Sequence, residues 1–157
     1  MTPRKELFQK VQKALSAIRE FELVDLDRKQ FSSKEGIPQL WTAALIKINA
    51  IRWEAMVENK QEGTGSLEIT LYCKDGWMDQ HSETSDPEGG LIEIDLIDKI
   101  VECLQFLSGD YFQPLQQIDD EPGDDDEDGI MSYKVRFSFT LYRIVASKYQ
   151  YKKLTHS

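Results

Sequence analysis

The chain is poor in the residues that most often build reactive sites. Its 157 residues include two cysteines and two histidines. Cys73 falls in a strand-like apolar setting and Cys103 in a helix-like one, so both are expected as buried, reduced thiols. A zinc site needs three or four converging ligands. His81 has only Asp79, Glu83 and Asp86 near it in sequence, and the other histidine is His156, so no zinc site is expected. No apolar run approaches the roughly 18 residues that cross a bilayer, so no membrane contact is expected. The opening "MTPRKELFQK" lacks the apolar core of a signal peptide, which points to a cytoplasmic location. Positive charge is also scarce, with 19 Lys and Arg against 28 Asp and Glu. A free-standing DNA binder carries a basic face, and none is evident, so sequence-specific nucleic-acid binding is not expected.

Catalytic patterns are missing too. No Walker-type or dinucleotide glycine pattern occurs, and Ser82, Ser85 and His81 do not form a nucleophile motif such as G-x-S-x-G. "GTGS" (63–66) reads as hairpin-tip material rather than a phosphate cradle. No pair of acids stands out in an apolar setting that would raise a pKa. The reading is therefore of a non-enzyme, with no catalytic residues and no cofactor.

What is abundant is acid in one place. "DDEPGDDDEDG" (119–129) holds Asp119, Asp120, Glu121, Asp124, Asp125, Asp126, Glu127 and Asp128. Without these eight acids the formal charge of −9 becomes −1. Asp124, Asp126, Asp128 and Gly129 match the front of a calcium loop, and they are the weak candidates for metal ligands. Such a loop needs a bidentate acid at its twelfth position. Counting from Asp124, that position is Val135, and the flanking segments read as strands, so the helix-loop-helix calcium reading fails. Three roles remain: a loose cation site, a docking surface for a basic partner, or a loop kept solvated by self-repelling acids. The eight acids, with Trp77 in its glycine-flanked loop, are the candidate interaction residues.

The apolar pattern divides the rest of the chain. Thr2-Pro3 opens a helix over about 3–20, with Leu7, Val11, Leu15 and Ile18 on one stripe. "FELVDL" (21–26) is a short extended piece, and "SSKEGIP" (32–38) is a turn. Residues 39–57 are β-rich, and their apolar face switches phase. Ala44, Ile46, Ile48 and Ala50 give way to Ile51, Trp53, Ala55 and Val57, which is what a β-bulge near Ala50-Ile51 produces. Two separate strands, or a helix through "TAALIKINAI", are the alternatives. Residues 58–66 form a polar tip, and "LEITLYC" (67–73) completes a hairpin. After a loop at 74–90, a helix starts at Asp95, carries Leu96, Ile97, Ile100, Val101, Leu104 and Leu107, and closes at Gly109. "YFQPLQQI" (111–118) and "IMSYKVRFSFTLYRIV" (130–145) form a last hairpin around the acidic loop. The 157 residues are read as a single domain, with an ordered core over about 3–145 and a basic tail at 146–157. The expected fold is α+β: an antiparallel (mixed) β-sheet with two α-helices packed on one face.

This order of elements resembles the tail terminator (tail completion, minor tail protein U-like) family of long-tailed bacteriophages and prophages. The resemblance runs over about 3–145, through "PRKELFQKVQKALSAI", "IPQLWTAALIKINAIRWEAM", "SLEITLYC", "DLIDKIVECLQFL" and "YKVRFSFTLYRIV". The loop at 119–129 departs from the family pattern. The resemblance implies a structural virion-assembly protein. Such a protein forms a homo-oligomeric ring, usually hexameric, on the tail tube protein and meets the head–tail connector. It would sit in the host cytoplasm and then in the virion tail. The alternative is a monomeric adaptor or binding module whose acidic loop captures a basic partner.

Overall fold

A computed structural model describes residues 2–31, 42–73, 92–123 and 132–146. Helix α1 (Pro3–Ser16) begins where the sequence places it. The Thr2 hydroxyl accepts the Lys5 N–H at 3.3 Å, with Pro3 in the first turn. It ends earlier than the apolar stripe suggests. Ala17, Ile18 and Phe21 donate to carbonyls three residues back, and these tight turns fold Ile18 and Phe21 under the core without further helix.

Six strands and a second helix follow among the described residues: β1 (Leu23–Leu26), β2 (Ala43–Ile48), β3 (Arg52–Ala55), β4 (Lys60–Tyr72), α2 (Ile92–Leu104), β5 (Gln116–Pro122) and β6 (Tyr133–Ile144). The sheet order is β1-β2-β4-β6-β5, with β3 paired to β4 beside β2. Only β1 and β2 run parallel; every other pairing is antiparallel. The fold is α+β with a mixed sheet.

Strict alternation makes one face of this sheet apolar. Ala44, Ile46, Leu67, Ile69, Leu71, Val135, Phe137, Phe139 and Leu141 form it, and all are buried. Leu7, Val11 and Leu15 of α1 pack there with Leu96, Ile100 and Leu104 of α2, so both helices share that face. Each fully buried side chain of this size contributes about 1.5–3 kcal/mol of transfer free energy. A small second cluster, Phe31, Ala43 and Leu45, lies on the opposite face near β1.

The phase switch in residues 39–57 is a register shift. Ile48 pairs with Leu67 and Arg52 with Thr64, so three residues (49–51) oppose two (65–66). The Asn49 N–H donates to the Ser66 carbonyl at 2.9 Å and the Asn49 side-chain amide to the Ser66 hydroxyl at 2.9 Å, which pins the shift. Ile48 before it and Ile51 and Trp53 after it all pack on the core, whereas Ala55 and Val57 are exposed. The helical alternative for this segment is excluded.

Three glycines work differently from the sequence expectation. "GTGS" lies inside β4, not at the tip. The tip is Val57–Asn59, where Glu58 takes φ 54° and the Lys60 N–H donates to the Val57 carbonyl. A Cβ on Gly63 would come within 2.7 Å of the Trp53 ring. One on Gly65 would meet the Phe139 ring at 2.8 Å and the Ala50 carbonyl oxygen at 2.9 Å. These glycines let aromatic rings and the bulged chain close over the strand. Helix α2 ends at Leu104 rather than at Gly109, and Phe106 takes the left-handed conformation beyond it (φ 66°).

Gly109 instead makes room for a carboxylate. A Cβ there would lie 2.4 Å from Glu6 Oε1 and 2.4 Å from the Phe112 ring. Glu6 is buried, and its carboxylate accepts the N–H groups of Asp110 (3.2 Å) and Tyr111 (2.9 Å). One side chain of the first helical turn thus fastens the segment that leads into β5.

Candidate functional site

The acidic stretch begins as a strand, not a loop. Asp119, Asp120, Glu121 and Pro122 are part of β5 and pair with Arg136, Val135, Lys134 and Tyr133 of β6. A register shift between Gln117 and Asp119 leaves Ile118 out of the ladder, and its side chain is exposed. The shift puts Asp119 and Glu121 on the open face of the sheet beside Arg136. The Arg136 guanidinium donates to Glu121 (2.7 Å), Asp119 (3.0 Å) and Glu68 (3.2 Å). Hydrogen bonds from Glu121 first, and Asp119 second, raise the pKa of this guanidinium above its ordinary value. Asp120 accepts from the Tyr133 hydroxyl at 2.6 Å and from the Gln117 side-chain amide at 2.8 Å. The Asp120 hydrogen bond, with burial second, pushes the Tyr133 phenol up to about 12.

Three of the eight acids therefore brace the β5–β6 pair. Asp124, Asp125, Asp126, Glu127 and Asp128 lie outside the described residues, as do Trp77 and His81. Among the described residues, no group of three or more His, Cys, Asp or Glu side chains is placed to hold a metal ion. Cys73 is buried and Cys103 half-buried; burial pushes the Cys103 thiol up to about 11, which suppresses its thiolate. No described helix is long and apolar enough to cross a membrane.

A concavity among the described residues lies at the far end of the sheet from this stretch. It is a groove of about 650 Å³ between the start of α1 (Thr2, Pro3, Arg4), Trp53 of β3, Asp110-Tyr111, Lys60 of β4 and Tyr142, Arg143 and Ile144 of β6. Two guanidinium groups lie over Trp53. The Arg143 guanidinium lies 3.7 Å from its ring centroid and that of Arg4 5.7 Å away. Lys60 lies 5.4 Å from the Tyr142 ring centroid. The Arg143 Nε–H donates to Gln61 at 2.8 Å, and the Gln113 side-chain amide donates to the Tyr142 hydroxyl. Among the described residues Arg4, Lys60 and Arg143 form no ion pair. Among the described residues of the lining Asp110 is the lone acid, so they carry net positive charge. Its chemistry suits an anionic group held by guanidinium and ammonium donors over an aromatic floor.

Beside the groove the sheet end is apolar. Met56, Val57, Ile144 and Val145 are all exposed. The ladder brings them together, since Lys60 pairs with Ile144, the Met56 N–H donates to the Lys60 carbonyl and the Val145 N–H to that of Asn59. The sequence reading did not find this region. Arg4 and Arg143 stand near opposite ends of the chain. Nothing local in the sequence links them; the core-face phase of β3 and β6 does, by bringing both to Trp53.

No protein-family model matches the chain, and a search of curated proteins returns no match.

Proposed function

We propose that the protein is a structural assembly subunit of a phage or prophage tail or neck. It resembles a tail terminator that forms a ring on the tail tube and joins it to the head connector. The observation that supports this reading most directly is the exposed apolar sheet end, Met56, Val57, Ile144 and Val145. Four large apolar side chains gathered at one end of a sheet are a surface suited to a protein neighbour. Strand β3 adds to this, since among the described residues it has a ladder partner on one side only. The element order that carries the family resemblance is consistent with the same role.

The test is the mass and shape of the particle. Light scattering behind size exclusion at high protein concentration should give a closed oligomer, and negative-stain images should show rings. Val57→Asp with Ile144→Asp, at exposed positions that leave the core intact, should return the chain to a monomer. A chain that is monomeric at every concentration, and that retains a basic protein, would favour the adaptor reading instead.

A further inference from the structure

We infer that the groove at the β6 C-terminal end receives the acidic run 124–128 of a second copy of this chain, so that copies join head to tail. This deepens the assembly reading and rests on it for the identity of the occupant. Three observations carry it. The first is charge complementarity. The described lining presents Arg4, Lys60 and Arg143 against Asp110 alone, while Asp124, Asp125, Asp126, Glu127 and Asp128 add five consecutive acids beyond the three that brace the β5–β6 pair. The second is position. Strand β6 has 12 residues, so its ends lie about 36 Å apart at roughly 3.3 Å per residue. Ile144 at one end borders the groove, and Tyr133 at the other pairs with Pro122 of the acidic stretch.

The third is reach. The Gly123 N–H donates to the Ser132 carbonyl at 2.7 Å, which fixes where residues 124–131 leave and rejoin the sheet. Eight residues running out and back span about 14 Å at full extension, well short of the groove of the same molecule. The acids can meet a groove only on another copy. A patch that binds a different patch is a heterologous contact, which closes into a ring or continues as a filament. The apolar residues Val57 and Ile144 beside the groove add contact area that salt does not screen.

The test uses the full chain and a fluorescein-labelled peptide spanning residues 116–131. Fluorescence anisotropy at low ionic strength should show binding that weakens as salt rises. Arg4→Glu with Lys60→Glu, both exposed positions, should weaken binding about tenfold or more, since each reversal replaces an attraction by a repulsion. Arg19→Glu, an exposed reversal away from the groove, should leave it unchanged. No binding to the wild-type chain, or equal loss in the Arg19 variant, overturns the inference. A second arm mixes the Arg4/Lys60 variant with a chain carrying Asp124, Asp125, Asp126 and Asp128 changed to Asn. Neither should assemble alone, and together they should stop at a one-to-one pair. If both variants still assemble like wild type, the groove contact is wrong while the assembly reading stands. If the one-to-one pair forms but wild type makes open chains rather than rings, the contact stands and the ring reading fails.

Discussion

Replacing Glu6 tests whether one carboxylate holds the first helix to the approach to β5. It is 6 % exposed, and its two oxygens accept the Asp110 and Tyr111 N–H groups. Glu6→Ala removes two charge-assisted hydrogen bonds and leaves two half-buried donors without that partner. Bonds to a charged acceptor contribute about 1.5–3 kcal/mol each, offset by relief of the carboxylate's desolvation, so a net loss of about 3 kcal/mol is expected. For a chain of this length that lowers Tm by about 6–12 °C. Glu6 also sits in the first turn of α1, where a negative charge contributes about 0.3–1 kcal/mol through the helix dipole. Glu6→Asp separates the two effects, because it keeps the charge but withdraws the oxygens from the 110–111 backbone. It should lose most of what alanine loses. Gly109→Ala drives a Cβ to 2.4 Å from the same carboxylate, so it should destabilise the wild type more than it destabilises the Glu6→Ala chain. A double-mutant cycle in urea should return a coupling of about 1 kcal/mol or more. An alanine variant within about 0.5 kcal/mol of wild type, or an aspartate variant equal to wild type, would refute the reasoning.

Three further substitutions probe other parts of the structure. Arg136→Met strips the cation from Glu68, Asp119 and Glu121 while Glu68 stays buried, and should cost about 2–4 kcal/mol in chemical denaturation; Glu121→Gln alone, at an exposed position, should cost under about 1 kcal/mol. Gly65→Ala should cost about 1–3 kcal/mol, because its methyl meets a backbone oxygen that cannot swing aside as well as the Phe139 ring. Tyr133 gives a pH signature. Its folded pKa is raised to about 12 by Asp120, so its contribution is complete below the ordinary phenol range near 10 and is lost as pH rises through the folded value. Tyr133→Phe should therefore destabilise the chain at neutral pH, with the difference from wild type shrinking above about pH 10, and should remove a phenol that ionises above the ordinary range in an ultraviolet titration.

The two helices, the alternating strands and even the phase switch at 48–52 are written in local pattern, because periods of 3.6 and 2 report which side chains share a face. The switch was legible for a specific reason: one inserted residue moves the apolar set from even to odd positions. The glycines misled. Gly63 and Gly65 look like a turn because glycine usually marks one, yet here they are gaps for Trp53 and Phe139, residues 10 and 74 positions away. Gly109 looks like a helix cap because it follows an apolar stripe, but its neighbour is the carboxylate of Glu6.

What the sequence determined by itself is the set of elements, their buried faces and the concentration of negative charge near 119–128, all of which depend on neighbours in the chain. Only the tertiary structure decided how that charge is divided. The β5 register turns Asp119 and Glu121 onto Arg136 and Asp120 onto Tyr133, so part of an apparent acidic loop became a strand held by ion pairs and hydrogen bonds. It also created the cationic groove, since Arg4 and Arg143 share Trp53 only after the sheet has brought β3 and the end of β6 beneath the start of α1. Periodicity encodes which way a side chain faces; it does not encode which distant side chain it meets there. That pairing depends on strand order and register, and these are fixed when the whole core packs.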